Sequence, residues 1–164
     1  MQITHLLQTE LAREHSTTAK FFARYPGDNN DYAPHEKSMK LSHLVTHLTH
    51  VFGWTGDMLA TSYMDLAGAE TPTPLTSSSS LITELDKNFG HSQEALSIAT
   101  DDDLTSKWAL KMNGTVIAEW SKYFAIRQAL NQITHHRAQL GVYYRLLEIP
   151  VPSSYGPSAD DQSF

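Results

Sequence analysis

The chain has 164 residues, no cysteine, and 12 Lys and Arg against 18 Asp and Glu, for a formal net charge of -6. Zero cysteine excludes a disulfide framework, a Cys-ligated zinc site, an iron–sulfur cluster and a thiol nucleophile on the protein. The acidic balance argues against nonspecific nucleic-acid binding, which needs a basic face to neutralise phosphates.

The length predicts a single domain over residues 1–164, large enough to bury a core without disulfides or a structural metal. No apolar run approaches the roughly 20 residues that cross a bilayer, so no membrane partner is expected. The amphipathic start lacks the basic opening and small-residue cleavage site of a signal peptide. It reads as mature, cytoplasmic protein.

Leu6, Leu7, Leu11, His15, Thr18 and Phe22 recur at helical spacing and predict a first helix from about Ile3 to Phe22. The turn cluster from Tyr25 to Asp31 ends it. Ser38 is a candidate N-cap for a second helix from about Met39 to Met64, with Leu41, Leu44, Leu48, Val51, Phe52 and Leu59 as its apolar stripe. Residues 68–80 form a loop in which Pro72 and Pro74 block helix continuation. A third helix follows the serines and reaches about Ile98, and Asp101 to Leu104 reads as a turn.

Asn113-Gly114 separates two short alternating runs between Trp108 and Trp120, the signature of a small β-hairpin. A fourth helix is predicted from about Lys122 to Leu147, with Phe124, Leu130, Ile133, Leu140, Tyr143 and Leu147 facing inward. Pro150 and Pro152 end it, and an irregular tail follows. The expected fold is all-α, a four-helix bundle with a small β-hairpin between helices three and four.

Nine histidines set the functional question. The second helix carries His43, His47 and His50, and the fourth carries His135 and His136. Residues three and four apart share a helix face. His47 falls at the centre of the stripe made by Leu44, Leu48 and Val51, and His136 falls between Ile133 and Leu140. Two inward imidazoles on different helices can meet a divalent ion. The competing reading is that each is a hydrogen-bonded core histidine. His5, His15 and His91 are expected on solvated faces, and His35 sits in a loop without a partner. Arg137 is expected in solvent or at a subunit interface, the usual place of arginine.

The segment Asn131-Gln-Ile-Thr-His-His-Arg-Ala-Gln-Leu resembles the last-helix signature of the DinB-like (DinB/YfiT) family of metal-dependent enzymes. Pro34 to Met39, Leu44 to Trp54, and the tail from Ile149 to Asp161 are similar to other parts of that family. The resemblance implies a four-helix bundle, often a homodimer, with a divalent metal held by one histidine of helix two and two of helix four. His47 and His136 match two of these ligands, and the third falls on Gln132. An amide oxygen is a weaker donor than imidazole for nickel or zinc. Gln132 ligates through that oxygen, His50 or His135 supplies the third nitrogen, or the site has lost its metal. Ala138 stands where the family usually has glycine.

The implied function is a divalent-metal-dependent enzyme, a thiol S-transferase that uses a low-molecular-weight thiol on small electrophiles. In that reading His135 or Gln139 orients a ligand or substrate. The alternatives are a non-catalytic metal or small-ligand binding bundle, and a degenerate metal-free dimer with a stress-related role.

Overall fold

A computed structural model describes residues 2–69 and 71–163. It is mostly helical, with five helices and a three-stranded sheet. The all-α expectation is corrected in two places. The second helix is split, and the hairpin gains a third strand.

Helix α1 spans Ile3–Phe22. Its buried side is Thr4, Leu7, Leu11, Glu14, Thr18, Phe21 and Phe22, whereas Leu6 is exposed. No local side chain caps its start. The Asp101 carboxylate accepts from the backbone N–H groups of Ile3 and Thr4, at 3.1 Å each. A residue from a distant turn thus satisfies the orphan donors and offers negative charge to the helix N-terminus.

Helix α2 covers Leu41–Val51 and helix α3 covers Trp54–Ala60, in place of one helix from Met39 to Met64. Lys40, not Ser38, holds the N-cap position. The break has a local cause. Ser92, on helix α4 (Ser78–Ile98), donates its hydroxyl to the Phe52 carbonyl at 2.6 Å and accepts from the Gly56 N–H at 3.0 Å. Those two backbone groups would bond each other in a continuous helix. A side chain inserted into the ladder kinks it. Gly56 also lets α3 lie close to α4, since an added Cβ would sit 2.5 Å from the His91 ring. Helix α4 itself is capped by Ser77, whose side chain accepts from the Ser80 N–H.

Strand β1 (Tyr63–Asp65) runs parallel to β2 (Lys107–Met112), which pairs antiparallel with β3 (Thr115–Ser121). The hairpin is where the Asn-Gly signal puts it. Asn113 and Gly114 take φ of 50° and 77°, the positive values that a primed turn demands. Asp65 accepts from the N–H groups of Asn113, Gly114 and Ala67 and so ties the turn to β1. These donors hold the Asp65 carboxyl below its usual pKa, Ala67 and Gly114 first.

Helix α5 spans Lys122–Leu146 and begins with Ser121 capping Phe124. Its buried side includes Ala125, Ala129, Ile133, His136, Arg137 and Leu140, while Phe124 is exposed. Arg137 is not in solvent; it is 2 % exposed. Its Nη1 lies 2.6 Å from Glu14 Oε2, and it donates to Thr18 Oγ1 at 3.1 Å. Its Nη2 donates to the Tyr155 hydroxyl at 2.7 Å, and that hydroxyl donates to both Glu14 oxygens at 2.9 Å. The tail is further held by Asp160, which accepts from Arg145 and from the Val151 N–H.

Breaking a buried pair strands one charge without a partner. Arg137→Met is expected to cost about 3–5 kcal/mol, and Tyr155→Phe roughly 1–3 kcal/mol. Urea unfolding monitored by circular dichroism measures both.

Candidate functional site

Helices α2 and α5 pack against each other and bring two of the predicted residues into contact. The rings of His47 and His136 lie 4.6 Å apart between centroids at 87°, an edge-on arrangement. His47 also meets the edge of Trp54 at 5.5 Å, a contact made by the restart of the chain as α3. His136 is buried and His47 half-buried.

Gln139 lies one turn beyond His136, and its Oε1 sits 3.0 Å from His136 Nδ1. An amide oxygen can only accept, so Nδ1 carries the proton and Nε2 keeps its lone pair. Burial, and next the neighbouring His136 and His50, push the His47 pKa down to about 4. Burial lowers that of His136 as well, against the raising effect of Gln139. Both rings are therefore neutral at pH 7, the form that binds metal.

The other candidates are placed differently. His50 turns toward α4, with Nε2 4.0 Å from Glu84 Oε1. His135 is exposed, its ring 5.0 Å from that of His136. Gln132 is half-buried, one turn before His136 on the same helix face. Among the described residues, no three His, Cys, Asp or Glu side chains converge to hold an ion. Two neutral imidazoles in contact fit part of the donor set of an exchangeable divalent ion with open positions. They do not fit a closed four-ligand structural site.

Two grooves flank the pair. One, of about 180 Å³, is lined by His47, His43, Met39, Thr71 and Pro72. The other, of about 410 Å³, is lined by His136, His135, Lys37, Met39 and Tyr143. On the third side Gln132 and Trp54 border an apolar cavity of about 440 Å³.

Sequence reasoning missed that cavity, because its walls come from separate parts of the chain. It also missed Glu14. The signal was available: a carboxylate on the stripe of Leu7, Leu11 and Thr18 needs a buried cation, and Arg137 is its match. His15, expected in solvent, stacks on Phe89 at 4.1 Å and bonds Asp86 at 2.7 Å.

Because folding favours neutral His47, the unfolded chain takes up a proton first. In metal-stripped protein, stability is expected to be full near pH 7 and to fall as pH drops from about 6.5 toward about 4. His47→Gln should flatten that fall, as read from urea midpoints near pH 7 and near pH 5.

No protein-family model matches the sequence, and no curated protein matches it. Solved structures do. A DinB-like protein from Bacillus cereus ATCC 10987 superposes with a TM-score of 0.72 at 19% identity, covering 91% of this chain and 95% of that one. A DinB-like protein from Bacillus subtilis gives a TM-score of 0.68 at 16% identity, covering 96% of this chain and 99% of that one. The chain therefore has a DinB-like fold.

Proposed function

We propose that this chain is a DinB-like, divalent-metal-dependent enzyme that transfers a low-molecular-weight thiol to a small electrophile. Its ion, nickel or zinc, is held by His47 and His136, with the Gln132 amide oxygen as the third donor. The observation that carries this reading is the edge-on pair of neutral imidazoles from two helices, one ring oriented by Gln139. A bound ion supplies a Lewis acid that keeps a thiol ionised near neutral pH.

The protein's own groups do the rest. Gln139 fixes which nitrogen of His136 is bare. Trp54 packs against His47 and limits its rotation. The two grooves and the apolar cavity beside Gln132 and Trp54 give thiol and electrophile separate approaches to the imidazole pair. The reading takes the protein as a cytoplasmic homodimer, and light scattering after gel filtration reports the dimer.

A second reading, a ligand-binding bundle without metal, is favoured by one observation. No third His, Cys, Asp or Glu joins the pair among the described residues.

Elemental analysis of untagged protein separates the two. Near-stoichiometric nickel or zinc, lost in His47→Ala, is the outcome expected. Gln132→His should tighten binding by roughly tenfold or more, about 1.4 kcal/mol per decade, by replacing an amide with an imidazole. No uptake by the wild type after challenge with both metals would overturn the metal reading. Thiol consumption with a model electrophile then tests transfer in the loaded protein.

A further inference from the structure

The chain has three tryptophans, and all of them meet at one place. Trp54 comes from α3, Trp108 from β2 and Trp120 from β3. With α5 they line a cavity of about 440 Å³, linked to the histidine pair through the contact of Trp54 with His47. The cavity opens to solvent past Gln128 and Leu66, and its size falls in the range of small-ligand pockets, roughly 300–1,000 Å³.

The lining says what fits. Indole rings offer flat faces with a negative quadrupole and favour stacked or edge-on aromatic partners. Met58 and Met64 add polarizable, adaptable walls. No charged side chain lines the cavity among the described residues. An ionised ligand would be desolvated there without a counter-charge, which is costly. The Trp108 indole N–H is already committed to Thr61 Oγ1 at 3.1 Å. Polar side-chain contacts come from the amides of Gln128, exposed at the rim, and Gln132, half-buried. Each amide offers both a donor and an acceptor.

We infer that this cavity binds a neutral aromatic small molecule, its ring held among the tryptophans and a polar substituent held by Gln128 and Gln132. Trp54 touches His47, and Gln132 precedes His136 by one turn, so the substituent end lies beside the imidazole pair. This names the substrate class of the site proposed above. It rests on that reading for the reaction, while binding itself requires no metal ion.

The test titrates native and metal-stripped protein with para-nitrobenzamide, a neutral ring that quenches indole emission. Para-nitrobenzoate carries a charge on the same ring. Every tryptophan lines the cavity, and Trp108 and Trp120 stand away from the histidine grooves, so their emission reports on this site. Saturable quenching by the amide is expected in both preparations, with the carboxylate about tenfold weaker or worse. Ala129→Leu narrows the cavity, and Trp120→Leu removes a half-buried wall. Each should weaken binding by roughly fivefold or more. Circular dichroism checks the helicity of both variants, and either one suffices if the other misfolds.

Equal affinity for the two rings, quenching that never saturates, or affinity unmoved by the substitutions would overturn the inference. Saturable binding in a protein that takes up no metal upholds it and overturns the metal reading. A metal-loaded protein that binds neither ring does the reverse.

Discussion

The buried Glu14–Arg137 pair ties three parts of the molecule together and constrains how they are arranged. Both side chains are buried, and two charges leave water only if each meets the other with further hydrogen bonds in place. Thr18 and Tyr155 supply those bonds. The pair therefore joins α1, α5 and the tail at one point. It also sets the rotation of α5. Successive residues on a helix point about 100° apart, so an Arg137 turned to α1 leaves His136 turned toward α2. The imidazole contact with His47 follows from that rotation.

A second constraint acts on the other side of the site. The Ser92 hydroxyl stands between a carbonyl and an N–H that would otherwise close a helical turn. The chain stops at Val51 and restarts at Trp54. The restart puts Trp54 against His47 and opens a wall toward the sheet. Beta strands then bring Trp108 and Trp120 to the same space. An aromatic cavity beside a histidine pair is thus the joint product of a kinked helix and a sheet carried by a helical bundle.

The tail illustrates how polar groups order an irregular segment. It forms no regular element, yet Asp160 and Asp161 accept from backbone N–H groups within it, and Tyr155 docks on the buried ion pair. The backbone and side-chain donors of Ser153 and Ser163 hold the Asp161 carboxyl far below its usual pKa. Tyr155 lies against α1 and α5 and not over the tryptophan cavity.

Much of the fold was legible in local patterns. The apolar periods of the first and fourth helices placed their bounds and that of the third its end at Ile98, although Ser78–Ser80, expected in the loop, begin that helix under the Ser77 cap; Asn113-Gly114 placed the hairpin. The inward direction of His47 and His136 followed from their positions among Leu44, Leu48, Ile133 and Leu140. These signals are local because helix period and turn conformation depend on residues close in the chain. What lay outside their reach depends on partners far away in sequence. Ser92 breaks a helix some 40 residues earlier, Glu14 buries an arginine 123 residues later, and Asp101 caps a helix 98 residues before it. The tryptophan cavity has no local signature, because its walls come from α3, β2, β3 and α5. The sequence by itself determined most of the apolar faces and the inward direction of His47 and His136. Only the tertiary structure decided what those faces enclose, because a cavity or a buried pair exists only where distant side chains meet out of water.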